Sequence, residues 1–216
     1  MTTNQRLVVR CMMMSADGLT AGLNQRMESP FGDHVEGFTD WMFATRSGRE
    51  MLGMEGGEVN GDDAYVAHSF DDIGAVILGR NMFTTSRGPW PDDGWVGWWG
   101  PNPPYHAPSY VLTHHAREPI PMEGGTTFHF VTEGPEHALG LAFAAADGKD
   151  VRLMGGANTV RQYLAAGLVD SLHIVLVPML IGQGERLFPE MSPPPGYRCV
   201  EKVATDAVIH LRFERG

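Results

Sequence analysis

At 216 residues the chain is long for one domain and short for two, its 43% apolar content is ordinary for a globular fold, and it holds no apolar run of the roughly 18 residues that would span a membrane. The formal net charge of −10, with Lys and Arg scattered rather than clustered, excludes wholesale binding of nucleic acid and means that any anionic ligand must be held by local groups. The opening "MTTNQRLVVRCMM" carries charge inside its apolar part and lacks a small-residue cleavage site, so a cytoplasmic protein is expected, with Cys11 and Cys199 as two buried thiols rather than a disulfide.

In chain order, "RLVVRCMMMS" (6–15) is a continuous apolar run closed by "DG", which predicts a buried strand and a turn. Residues 36–56 place Phe38, Trp41, Met42, Thr45, Met51 and Leu52 at roughly helical spacing, which predicts one helix running into glycine-rich sequence. "IGAVILGR" (73–80) reads as a strand followed by a helix start at "NMF". Residues 84–108 are rich in Pro, Gly and Trp and have no period of either kind; a loop this long is expected to be an ordered flap. Trp90, Trp95, Trp98 and Trp99 in it either stack on a planar heterocycle or bury area in a homodimer contact.

"SYVLTH" (109–114) and "TTFHFVT" (126–132) are strands by β-branched and aromatic content, and the Ala-rich segment 134–148 is a helix with a glycine stop. The strand "DVRLM", a glycine pair, a helix over 158–167 and an apolar strand over 170–180 follow. The tail, "YRCVEKVA" and "AVIHLRFER" around "TD", reads as a terminal hairpin. Strands alternating with helices predict a mostly parallel sheet covered on both faces, with the hairpin adding antiparallel strands at one edge, in a single domain over 1–216.

Gly155 and Gly156 stand between a strand and a helix, where free amides face a ligand; without a Cβ an anion can approach the backbone, and Asn158 or Thr159 can cap the helix or donate to phosphate. The same pair would also serve close helix–strand packing. "GGANTV" is neither the three-glycine dinucleotide fingerprint nor a phosphate loop with Lys and Ser/Thr, which disfavours a kinase or NTPase. Gly79 and Arg80 end a second strand, where an Arg fork suits phosphate or forms a surface ion pair. Thr113, His114, His115 and Arg117 sit at the end of a third. Nine histidines show no zinc spacing, so no metal site is expected.

These segments resemble a known family. "MMMSADGLTAG", "GAVILGRNMF" and "VRLMGGANTVRQYLAAGLVDSLHIVLVPMLIGQGERLF" are similar, in this order, to the reductase domain of bifunctional riboflavin biosynthesis proteins and, more distantly, to dihydrofolate reductase. The resemblance runs from about residue 6 to 190 and implies a dihydrofolate-reductase-like three-layer α/β fold, NADPH as hydride donor and often a homodimer. It implies that Gly155, Gly156, Ala157, Asn158 and Thr159 cradle the diphosphate. It likewise implies that Gly79 and Arg80 with Thr113, His114 and His115 hold the adenosine 2′-phosphate, that Ser15, Asp17 and Thr20 lie near nicotinamide and substrate, and that Glu185 faces the substrate pocket. Met82 departs from the family's usual Thr, and the zinc deaminase signature is absent.

Hydride transfer needs a proton source for the other atom of the reduced bond, and Asp17 either supplies it or is simply a turn residue. The expected function is NADPH-dependent reduction of a small heterocycle, either like a 5-amino-6-ribosylamino-uracil phosphate or like a pterin. The alternative is an NADPH-binding module without turnover that uses the Trp-rich loop for interaction.

Overall fold

The computed structural model describes residues 5–189 and 196–216. Strand β1 (Leu7–Ser15) is followed by β2 (Leu19–Gly22), then by three short helices α1 (Asp40–Phe43), α2 (Arg46–Met51) and α3 (Gly61–Ala67). Next come β3 (Ile73–Gly79), α4 (Arg80–Phe83), β4 (Pro108–Leu112), β5 (Ile120–Pro121), β6 (Thr127–Val131) and α5 (Pro135–Ala145). The chain then runs through β7 (Asp150–Gly155), α6 (Ala157–Ala165), β8 (Ser171–Val177), β9 (Gly184–Arg186), β10 (Tyr197–Ala204) and β11 (Ile209–Arg215).

Nine strands form one sheet in the order β10-β11-β8-β1-β7-β3-β4-β6-β5, while β2 and β9 pair separately. The six central strands are parallel; at one edge β11 pairs antiparallel with both β8 and β10, and at the other β5 pairs antiparallel with β6. This is the expected α/β architecture, and the terminal hairpin is where the sequence places it. One face of the sheet packs Leu7, Val9, Ile77 and Leu153 against Ala138 and Ala142 of α5 and Val160, Tyr163 and Leu164 of α6. The other face has two covers. Phe38, Trp41 and Val66 close over Val175 and Val177, and the flap closes over Val76, Leu78, Val111 and Phe128.

The single helix expected over 36–56 is two. Thr45 sits in extended backbone, and its hydroxyl accepts from the Gly48 amide at 3.0 Å, so it caps α2 instead of continuing α1. A Cβ at Gly48 would overlap the Met42 carbonyl, which makes that tight corner depend on glycine. Cys11 and Cys199 are unpaired; Cys11 is half-buried and Cys199, on edge strand β10, is exposed, which corrects the expectation of two buried thiols. Among the described residues no helix is long and apolar enough to cross a membrane.

Candidate functional site

The glycine pair does break strand from helix where the sequence suggests. Gly155 ends β7 at φ 126, the Gly155–Gly156 peptide is cis, and Gly156 is the N-cap of α6 with no side chain capping it. The first intrahelical bond runs from the Val160 amide to the Gly156 carbonyl, so the amides of Ala157, Asn158 and Thr159 precede the ladder and no acceptor among the described residues takes them. Asn158 is exposed and accepts from Arg161 instead of capping, while Thr159 is buried. A Cβ on Gly156 would meet nothing within 4 Å. The result is an open, positively polarised helix end.

Gly79 explains how the second strand end reaches this cradle. A Cβ there would overlap Thr159 Oγ1 and stand 3.4 Å from the Gly155 carbonyl, so the end of β3 can lie against the start of α6 only as glycine. Arg80 follows as the first residue of α4. Its Nε and Nη2 are buried without an acceptor, and its guanidinium carbon lies over the Trp90 ring, 3.9 Å from the centroid. Burial lowers its pKa, helped by the nearby charges of Arg87 and Arg117. Arg117 lies 5.1 Å from the same Trp90 ring and donates to the Trp95 carbonyl, and Arg87 donates to Asn81. None of these three cations is paired with a carboxylate among the described residues. On a chain this acidic, three guanidinium groups without a carboxylate partner concentrate positive charge at this strand end.

The third strand end is less direct. Thr113 is buried and its hydroxyl accepts from the His115 amide at 3.2 Å. His115 contributes its carbonyl, which accepts from Trp90 Nε1 at 2.7 Å, and His114 is exposed. Their loop therefore fixes the flap over Arg80. Trp90, Trp95 and Trp99 pack on the chain's own β3–β4–β6 face, with Trp95 Nε1 donating to the Phe83 carbonyl at 2.7 Å and Trp98 edge-on to Trp95 at 4.8 Å. The flap's rings thus pack on this chain's own sheet while each keeps part of its surface exposed.

Around the end of β1, Ser15 Oγ donates to Asp17 Oδ1 at 2.5 Å and accepts from the Leu19 amide. Asp17 also accepts from the amides of Ile181 and Gly182, at 3.1 and 2.7 Å. These bonds, the Ser15 one foremost, hold its carboxyl down to about 2. Such a carboxylate has no proton to give near neutrality; it clasps the turn after β1 to the segment before β9. Thr20 donates to the Glu185 carbonyl at 3.2 Å, and the half-exposed Glu185 carboxylate faces Arg161 at 3.7 Å. Asp40 is exposed.

Ser15, Gly155, Gly79 and Thr113 therefore stand at or just past the carboxyl ends of β1, β7, β3 and β4, four neighbours in the sheet. Arg87 is not assigned to the site from sequence, where its only signal is "SRGPW" inside the long loop, and Trp90, expected against a heterocycle or a dimer partner, instead lies under Arg80. A pocket of about 430 Å³ lies elsewhere, toward the amino ends of β1 and β8, lined by Arg6, Arg10, Tyr65, His173, Glu201 and Glu214. Its charges are largely matched across strands, Arg212 to Glu201 and Glu214 and Arg6 to Glu214, as on an ordinary solvated sheet face.

A mixed sheet with six parallel central strands, helices on both faces and an antiparallel C-terminal hairpin is an α/β domain of the dihydrofolate-reductase-like fold class. The RibD C-terminal domain pattern matches residues 6–211, and the chain belongs to that family, which makes it a reductase domain of the riboflavin-pathway type. No curated protein matches the chain in sequence. Among solved structures it is similar to a candidate riboflavin biosynthesis protein of Shewanella sp. PV-4, with TM-score 0.60, 18% identity and 98% and 99% of the two chains covered. It is similar also to the diaminohydroxyphosphoribosylaminopyrimidine deaminase/5-amino-6-(5-phosphoribosylamino)uracil reductase of Thermotoga maritima, with TM-score 0.53, 10% identity and 98% of this chain matched to 57% of that longer one. Dihydrofolate reductase from Enterococcus faecalis, in a complex with NADP(H), gives TM-score 0.51 and 15% identity over 98% and 96% of the chains. These identities speak to the fold.

Proposed function

We propose that this chain is an NADPH-dependent reductase of a small heterocycle, either like a 5-amino-6-ribosylamino-uracil phosphate or like a pterin. The observation that carries the cofactor is Arg80, with two buried donors lacking acceptors and Arg87 and Arg117 beside it. A 2′-phosphate dianion supplies the charge and the acceptors that this group lacks. The uncapped start of α6 suits the diphosphate. With the adenosine end at β3 and β4 and the diphosphate at β7, the nicotinamide end must run on toward β1, where Ser15 and the clasped Asp17 turn stand. NADPH, when bound, supplies the hydride.

The protein's part is to bind and orient: amides of 157–159 for the diphosphate, Arg80, Arg87 and Arg117 for the 2′-phosphate, and the Ser15–Asp17–Gly182 clasp to keep the β1 turn closed. Asp17 is assigned to that clasp rather than to proton donation. Glu185, half open to solvent, is assigned to the substrate side of the cleft. Binding of NADPH without turnover is the second reading, favoured by the engagement of both Asp17 oxygens.

Titration calorimetry with NADPH and NADH tests the assignment. Wild type should prefer NADPH, and Arg80→Gln should weaken NADPH binding roughly 10- to 150-fold, the equivalent of about 1.5–3 kcal/mol for hydrogen bonds to a charged group, while leaving NADH binding nearly unchanged. Equal affinity of wild type for the two dinucleotides overturns it. Loss of nicotinamide absorbance with a panel of pterins and aminouracils separates turnover from binding alone.

A further inference from the structure

Strand β1 changes face halfway along. Leu7 and Val9 point into the core beneath α5 and α6, and so do Met12 and Met14, whereas Cys11 and Met13 pack toward Trp41 on the opposite side. Strict alternation cannot take an odd set to an even one, so one residue must be extra. The pairing with β8 shows it: Val8 and Val9 pair with Ser171 and Leu172 but Met12 pairs with Ile174, leaving Arg10 and Cys11 together opposite His173. Cys11 takes φ 55, a left-handed conformation unusual for a residue with a side chain.

The bulge coincides with a parting of strands. Pairing of β1 with β7 stops at Val8–Arg152, although β7 continues to pair with β3 as far as Gly155. From Met12 to Ser15, β1 is therefore laddered to β8 alone. Gly155 stands on the other side of that gap, where a Cβ would lie 3.7 Å from the sulfurs of Met12 and Met82.

A bulge costs the ladder an amide, and here that amide is taken by a side chain. The Cys11 N–H donates to His173 Nδ1 at 3.2 Å. With Nδ1 accepting, the ring proton must be on Nε2, which lies 3.0 Å from His210 Nδ1; the His210 proton is then on Nε2, 2.8 Å from Asp62 Oδ1. Asp62, His173 and His210 are all buried, and Tyr65 stacks on His210 at 3.8 Å while donating to Glu201. Burial above all pushes His173 down to about 3, so its Nδ1 lone pair stays available. The polarity runs one way, from the bulge amide through two neutral imidazoles to a carboxylate, and each link strengthens the next.

We propose that His173 and His210, anchored by Asp62, are positioning residues: they hold the β1 bulge, and the bulge decides which face Met12 to Ser15 present and keeps the end of β1 apart from β7 beside Gly155, on the side to which the nicotinamide runs. The claim about the bulge stands by itself; the claim about the nicotinamide rests on the NADPH assignment made above.

Two measurements test it. In wild type, side-chain nitrogen NMR should show both rings neutral and protonated on Nε2 near neutral pH, and the Cys11 amide should be protected from hydrogen exchange. A His173 proton on Nδ1 overturns the proposal without any variant. Next, His173→Leu removes the acceptor, and His173→Asn keeps an acceptor near the Nδ1 position while also breaking the link to His210. Cys11 protection and NADPH affinity should each fall about tenfold in the Leu variant, the equivalent of about one hydrogen bond, and only about threefold in the Asn variant, which keeps the acceptor and loses the support of His210. A merely structural role predicts equal losses in the two, and equal losses refute the proposal. If His173→Leu does not fold, Asp62→Asn serves in its place, with a smaller fall in Cys11 protection expected and no change refuting the proposal. If wild type does not bind NADPH, the cofactor assignment fails, and the tautomer and exchange results still decide the bulge.

Discussion

Acidification from about pH 7.5 to about pH 5 should destabilise this protein through His173, and the size follows from its burial. The unfolded imidazole titrates near 6.5, whereas in the fold desolvation above all lowers it to about 3. Between those two values the unfolded chain binds a proton that the native chain refuses, so the stability due to the neutral ring is complete above about pH 6.5 and drains away as pH falls toward 3. At pH 5 the loss from this one group is RT ln(1 + 10^1.5), about 2 kcal/mol. For a domain of this length that corresponds to a fall in melting temperature of about 4–8 °C. The charged neighbours Glu201, Arg152 and Arg212 act on the same ring but remain in place in a His173→Asn variant, so the difference between the two proteins' acid-induced shifts isolates the histidine. Differential scanning fluorimetry at the two pH values measures it. If wild type and His173→Asn lose the same number of degrees on acidification, the ring is not buried neutral and the reasoning is wrong.

Removing the indole in Trp90→Ala should free the Arg80 guanidinium, lowering the preference for NADPH over NADH by roughly 3- to 10-fold, on the scale of a cation–π contact of about 1 kcal/mol; an unchanged ratio from calorimetry would show that Arg80 needs no such support. Gly79→Ala should be destabilising by about 1–3 kcal/mol, as overpacking usually is, because the new methyl overlaps Thr159 Oγ1; a melting temperature equal to wild type would show that β3 and α6 do not approach as described. Asp17→Asn should loosen the clasp and make the 180–186 segment a site of early proteolytic cleavage, while any pH–rate profile between about pH 5 and 9 should carry no ionisation from Asp17, whose carboxyl is held near 2. A limb of that profile lost in Asp17→Asn would return this residue to the role of proton donor.

What could be read from the sequence was what is local. "MGGANTV" and "ILGRNMF" each place glycine and helix start within a few residues, so both strand-to-helix turns were visible, and so was the terminal hairpin around "TD". What could not be read is set by contacts across the chain. Thr45 continues a helical pattern as well as it caps a new helix, and the choice falls to the cap because Gly48 and Gly57 bring backbone against Met42 and Thr45. Strands β2 and β9, four and three residues long, find one another across the whole domain and have no signal of their own. The bulge in β1 is the most instructive case. A change of face shows in sequence only as a broken alternation of polar and apolar residues, and "LVVRCMMMS" is apolar on both faces except at Arg10 and the final Ser15, so there is no alternation to break. The residues that hold it come from α3, β8 and β11, and Asp62 is separated from His210 by 148 positions. A central parallel strand thus hides the feature that aligns Ser15 and the Asp17 turn with the cradle, and a polar chain of three side chains inside an apolar core shows where that feature is.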